Sequence, residues 1–129
     1  FRAYGRKYRS DHREKVNTYF RERKQTDLLF RLKSTLRTRL WDCFKYNKWN
    51  KNNSFKKYIG CSLDELKNHI ECQFIEGMTW DNWSRDGWHI DHIIPLSSAK
   101  TEEALYKLCH YSNLQPMWAI DNLRKGSKI

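Results

Sequence analysis

Apolar side chains recur at Leu29, Leu32, Leu36, Leu40 and Phe44, at spacings of three and four, while Arg31, Lys33, Arg37 and Arg39 fall elsewhere. That period lays one apolar stripe along a helix and predicts a core helix over 28–44. Before it, residues 1–27 are basic and punctuated by Phe1, Tyr4, Tyr8, Tyr19 and Phe20, with no Pro, and no Gly after Gly5. Tyr4 and Tyr8 share a face if the stretch is helical. A helix is expected there, with ordering only on a partner as the alternative. Residues 46–58, rich in Asn and Lys, predict a loop. Ser62-Leu63-Asp64-Glu65 has the form of a capping box, so a further helix opens at Ser62. Leu63, Leu66, Ile70 and Phe74 form its apolar face, and it is expected to stop near Gly77. His69 lies off that stripe and reads as a surface or rim histidine.

The pattern then changes from helical to strand-like. Trp88 to Leu96 reads W-H-I-D-H-I-I-P-L, in which Ile90, Ile93, Ile94 and Leu96 favour extended, buried backbone. Gly87 supplies a turn into this strand, and Pro95 ends its regular pairing. Met78, Trp80, Trp83 and Trp88 are expected to form a small core behind the strand, with stacking on bases as the alternative. His89, Asp91 and His92 are polar groups that a buried strand would normally shed, and such exceptions concentrate at functional sites. A carboxylate beside an imidazole can hold a hard divalent cation and supply a base, the chemistry of metal-assisted phosphodiester hydrolysis. Alternation would put His89 and Asp91 on one face and His92 on the other. The strand must therefore twist or bend if Asp91 and His92 serve one phosphate. Downstream follow an acidic helical stretch over 101–108, a short apolar run in S-N-L-Q-P-M-W, and a helix in A-I-D-N-L-R-K-G-S-K.

Charge sharpens this picture. The 129 residues carry a net +10, distributed unevenly. Residues 1–60 hold 18 Lys and Arg against 5 Asp and Glu, whereas residues 61–129 hold 7 against 10. The basic half is the expected electrostatic footprint on a polyanion, and the near-neutral half holds the chemistry. A solvated charged helix is the bland alternative for the basic run. No window has the roughly 18 uncharged apolar residues of a membrane span, and no apolar signal core follows the basic start. An intracellular protein without membrane partners is expected. The chain opens on Phe1 rather than Met, which fits a processed product or a piece of a longer protein.

The D-H pair of Asp91 and His92, Asn113 before the second strand, Asn122 in the last helix and the N-L-R-K-G ending together resemble the HNH endonucleases of the ββα-metal superfamily, phage and homing types in particular. The resemblance is close over 88–128 and looser over G-C-S-L-D-E-L-K-N-H-I (60–70) and G-M-T-W-D-N-W (77–83). It implies an α+β fold: a small ββα-metal motif at about 87–128 inside a nuclease domain of 61–129, preceded by a basic helical nucleic-acid-binding region of 1–60. It also implies a catalytic set of Asp91, His92, Asn113 and Asn122. In that set Asp91 and Asn122 ligate Mg²⁺ or Mn²⁺, His92 is the general base, and Asn113 pins the loop between the strands. Arg124 and Lys125 are placed to hold substrate phosphate, with simple solvation of either one as the alternative. His89 could orient Asp91, contact metal or substrate, or hydrogen-bond across the strands; the last, structural reading is favoured. His110 and His12 are expected to be incidental.

Some HNH enzymes add a four-cysteine zinc site built from paired C-x-x-C knuckles. Cys43, Cys61, Cys72 and Cys109 contain no such pair, so structural Zn²⁺ is not expected and reduced thiols are. The function implied is a metal-dependent DNA endonuclease that nicks as a monomer and cuts both strands as a dimer. RNA stays open as a substrate. The alternatives are a non-catalytic nucleic-acid-binding subunit and a nuclease module of a larger, even guided, nucleoprotein assembly. No base-reading motif stands out in residues 1–60.

Overall fold

A computed structural model describes residues 2–128. The elements run α1 (Arg2–Asp11), α2 (Arg13–Thr26), α3 (Leu28–Tyr46), α4 (Phe55–Ile59), α5 (Leu63–Glu71), β1 (Trp88–His92), α6 (Glu102–Leu108), β2 (Leu114–Trp118) and α7 (Ala119–Lys125). The class is α+β, with helices gathered around one two-stranded antiparallel sheet.

The apolar stripe behaves as its period requires. Asp27 is extended and its carboxylate accepts from Phe30 N at 3.1 Å, which caps α3. Leu32, Leu36, Leu40 and Phe44 are then buried. The expected N-terminal helix is two helices, broken at His12, and α2 contributes no buried residue despite Tyr19 and Phe20. The contact of α2 with α3 rests on Phe20, whose ring stacks on Phe30 at 6.1 Å, and on Arg23, whose guanidinium lies 4.1 Å over the same ring. Phe1 lies outside the described residues.

Part of the expected loop over 46–58 is helical. Ser54 caps the short α4, which buries Phe55, Tyr58 and Ile59. The Tyr58 ring packs 5.2 Å from Phe44 and 5.8 Å from Trp41, so tertiary contact with α3 overrides a loop-like composition. Gly60 ends α4 at φ +80°, where a Cβ would also sit 2.6 Å from the His110 ring. The capping box at Ser62 is complete, with Ser62 and Glu65 bonding reciprocally. α5 stops at Glu71, short of Gly77, and tight turns carry the chain onward.

One hydrophobic core runs from Leu32 to Leu114 and crosses residue 60, so α3 and α4 share it with the sheet. The basic region is thus divided: α1 and α2 stand outside the core and α3 is its longest wall. Trp88 is fully buried, with Phe74, Trp80 and Trp83 at 5.0, 5.3 and 5.7 Å. The tryptophans therefore form core behind β1, as expected. Among the described residues no helix is long and apolar enough to cross a membrane.

Leu36→Ala should destabilise the protein by about 2–5 kcal/mol, because it opens a cavity in a site that cannot collapse freely. Removing the chain before Asp27, which keeps the α3 cap, should cost less than half as much. Urea unfolding of both variants checks the ordering.

Candidate active site

The sheet is small and tied at both ends. β1 and β2 pair in the register Trp88↔Trp118, His89↔Met117, Ile90↔Pro116, Asp91↔Gln115 and His92↔Leu114. Past His92, Ile93 N still donates to Asn113 O at 2.8 Å. The Asn113 side chain then closes the loop: Oδ1 accepts from Ile94 N at 2.8 Å, while Nδ2 donates to Ile94 O and Leu108 O, both at 2.9 Å. A side-chain amide satisfies three backbone groups that the end of the sheet would leave open. From α5, Gln73 Nε2 donates to Leu114 O at 3.1 Å and the His69 ring lies 3.3 Å from the same oxygen. His69 is thus half-buried and tied to β2. At the other end Ala119 N donates to Gly87 O at 2.8 Å, joining α7 to the turn before β1. A Cβ at Gly87 would lie 1.8 Å from the Asn82 carbonyl, so only glycine fits.

This frame brings Asp91 and His92 from β1, Asn122 from α7 and Arg39 from α3 to one cleft of about 420 Å³. Asp91 and His92 are adjacent in sequence yet both line this cleft, at the end of β1 where the strand gives way to a bend at 93–94. Asp91 Oδ2 accepts from Gln115 Nε2 at 2.9 Å and Lys125 Nζ at 2.8 Å. Lys125 Nζ also donates to His92 O at 2.7 Å. Asn122 Nδ2 lies 2.9 Å from His89 Nδ1, and His89 Nε2 lies 2.8 Å from Arg85 O. With Nε2–H donating to the Arg85 carbonyl, Nδ1 accepts from the Asn122 amide. His89 therefore reaches back to the preceding turn and forward to α7, where sequence reasoning expected a bond across the strands. It holds Asn122 with its amide oxygen turned to other work.

Electrostatics follow from burial. His92 is only 9% exposed, and its pKa is pushed down to about 4. Loss of solvation is the main cause; the Arg39 guanidinium and Lys125 ammonium push the same way and Asp91 opposes them. The imidazole is consequently neutral at pH 7. Arg39 donates to Ile90 O, and burial lowers its pKa against the pull of Asp91. Asp91 is buried, with Gln115 and Lys125 both donating to its Oδ2. No buried side-chain nitrogen or oxygen among the described residues lacks a partner. Asp91 Oδ1, Asn122 Oδ1 and the His92 ring have no hydrogen-bond partner among the described residues and so keep some contact with solvent.

Arg39 and Gln115 are the site residues that sequence reasoning missed. Gln115 had a signal, since its place in a strand opposite Asp91 follows once the register is known. Arg39 borders the apolar stripe between Leu36 and Leu40, a weak hint at best. Lys125, expected on substrate, is engaged with Asp91; Arg124 is exposed on α7. Cys43 borders the cleft, while Cys61 and Cys109 are buried with thiols pushed up to about 11 and about 12 by desolvation. Cys72 is exposed. Among the described residues no three His, Cys, Asp or Glu side chains gather as a metal-binding group. The oxygen donors that line this cleft are the carboxylates of Asp91 and of Asp42 at its exposed edge, and the Asn122 amide.

No protein-family model matches the chain, and no solved structure does. Two viral proteins are similar to it. Uncharacterized protein L426 of Acanthamoeba polyphaga mimivirus is 36% identical over 118 residues, covering 90% of this chain and 51% of the relative. Uncharacterized protein L246 of the same virus is 32% identical over 103 residues, covering 78% of this chain and 44% of the relative. The chain spans about half the length of these curated relatives.

The depressed His92 pKa makes stability depend on pH. Between its ordinary value of 6.5 and about 4 the unfolded chain binds a proton that the folded chain refuses. Stability is therefore whole above pH 6.5 and is lost as pH falls toward 4. From pH 7 to pH 4.5 this one group should remove about 2–3 kcal/mol. Urea unfolding in chelator should show wild type losing that much more than His92→Gln over the same interval. Equal losses would place the His92 pKa near its ordinary value.

Proposed function

We propose that this protein is a metal-dependent DNA endonuclease of the HNH type, with β1, β2 and α7 as its ββα-metal motif. The observation that carries the reading is the meeting of Asp91, His92 and Asn122 in one cleft, although about 30 residues separate Asn122 from the other two. Asn113 adds to it by tying the interstrand loop with three hydrogen bonds.

The donor set suits a hard divalent ion. A carboxylate oxygen of Asp91 and the amide oxygen of Asn122 are hard ligands, and both open to the cleft. Lys125 and Gln115 occupy Asp91 Oδ2, which leaves Oδ1 for the ion. His89 takes the Asn122 amide nitrogen and so directs its oxygen outward. Bound there, Mg²⁺ or Mn²⁺ would polarise the phosphate and neutralise charge on it.

The remaining chemistry belongs to the side chains. His92 is neutral through the physiological range and open to solvent on the cleft side, so it can take a proton from a water aimed at phosphorus. Asp91, next in sequence, stabilises the imidazolium that results. Arg39 and Lys125 add positive charge where the phosphodiester would lie, and both are preorganised by backbone carbonyls, Ile90 O and His92 O. Such a water bonds to phosphorus as the bond to the 3′ oxygen breaks in line with it, and that oxygen takes a proton from solvent, leaving 5′-phosphate and 3′-hydroxyl ends. One cleft per chain cuts one strand per event.

The test is cleavage of supercoiled plasmid with Mg²⁺, with chelator, and with His92→Ala. Wild type with Mg²⁺ should yield nicked circles, and chelator should stop the reaction. His92→Ala should lose about 10²–10⁴-fold in rate while binding DNA as wild type does. Undiminished cutting by metal-stripped protein, or by His92→Ala, would overturn the proposal.

A further inference from the structure

On the other side of α3 from the cleft lies a second concavity, a groove of about 760 Å³ between α2 and α3. Its rings are Phe20, Phe30 and Trp41, and its free cations are Lys24, Lys33 and Arg37. None of those three cations is ion-paired among the described residues, whereas the acid in the groove, Asp27, is already taken by Arg23 at 3.6 Å and by the α3 cap. Lys33, Arg37 and Trp41 follow one another at four-residue intervals, so they form a single row along α3. The Arg37 guanidinium lies 5.8 Å from the Trp41 ring, and Lys51 Nζ approaches the same ring at 4.8 Å. Arg37 and Arg39 are two positions apart on the helix, roughly 200° around its axis at 3.6 residues per turn. Groove and cleft therefore open in opposite directions.

We infer that this groove binds a single-stranded segment of nucleic acid, outside the stretch that lies at the cleft. Unpaired bases expose flat faces that can stack on the exposed Phe20 ring and, in exchange for Arg37 and Lys51, on Trp41, while duplex bases are already stacked and cannot enter. The row of cations beside the rings matches a backbone that carries one phosphate per base. An acidic peptide would use the cations but leave Phe20 and Trp41 without a base to stack on, Phe30 being already engaged by Phe20 and Arg23. The inference deepens the nuclease reading and rests on it for the polymer. It assigns the preference for an unpaired flank to α2 and α3 and makes the groove a binding element, separate from the residues that cleave.

The experiment measures binding by fluorescence anisotropy, using the full chain in chelator so that nothing is cut. The probes are a labelled oligothymidylate of about 16 nucleotides and a duplex of equal length. Lys33→Gln combined with Arg37→Gln should weaken the single strand at least tenfold and lower the magnitude of its salt slope by about 1.4, at 0.7 for each phosphate contact. Trp41→Leu should weaken the single strand about fivefold or more, since stacking on one ring is worth that much. Duplex affinity should change less than about threefold in either variant, the margin separating a stacking site from general phosphate attraction. Thermal melts confirm that both variants fold, and the charge variant alters only exposed positions.

Unchanged single-strand affinity in both variants would overturn the inference. So would equal weakening of single strand and duplex by the charge variant with no effect of Trp41→Leu, since that describes a plain phosphate surface. Failure here in a protein that still nicks plasmid removes the groove alone. Groove-dependent binding without His92-dependent nicking removes the nuclease reading and leaves the groove standing.

Discussion

A ribbon of two five-residue strands is too small to hold a buried carboxylate and imidazole in place unaided. Everything at the cleft depends on what braces that ribbon. α3 does so from behind: Arg39 donates to Ile90 O, and Arg31 donates to Trp83 O while its guanidinium lies 3.9 Å over the Trp83 ring. These two arginines stand eight residues apart, just over two turns, so one face of α3 grips the start and the middle of the segment that carries β1. α5 holds β2 through Leu114 O, Asn113 closes the open end, and Trp88 is packed among rings. A strand held by this many partners can afford polar residues in its interior.

The cleft concentrates opposed charges in little solvent. Asp91 is balanced by Lys125 at 2.8 Å, with both side chains largely buried, and Gln115 supplies a further neutral donor. A buried carboxylate without such partners would protonate rather than stay charged. His92 responds in the opposite sense. Desolvation and the nearby cations keep it neutral, which frees a lone pair where a charged imidazole would have none. Burial and nearby cations thus act on His92, while Asp91 beside it is held by Lys125 and Gln115.

The positive charge of the first 60 residues does more than one job. Arg31 and Arg39 are structural braces, and Arg23 lies over Phe30 while pairing with Asp27. Among the described residues Lys24, Lys33 and Arg37 make no ion pair, and all three line the groove beside aromatic rings. Net charge therefore overstates the footprint available to a polyanion, and the positions that matter are those the fold leaves free. Which arginines those are is a tertiary question, because a cation near the core is bonded to carbonyls and one a turn away is not.

Much was legible in the chain itself. The stripe of Leu32, Leu36, Leu40 and Phe44, the capping box at Ser62, and the strand with its turn at Gly87 follow from local periodicity and backbone chemistry, which act within a few residues. Asp91 and His92 are likewise conspicuous as polar groups in an apolar strand, whereas Asn113 and Asn122 stand out only through the resemblance to the HNH pattern. Local pattern could not reveal that α4 forms in an Asn- and Lys-rich stretch, because its stability comes from Tyr58 packing on Phe44 and Trp41. Nor could it show that His89 serves Asn122, that Lys125 neutralises Asp91, or that Arg39 reaches β1 across 51 residues. Those contacts join elements whose separation in the chain carries no periodic signal. Only the packed core, which brings α3, β1 and α7 within hydrogen-bonding distance, decides them.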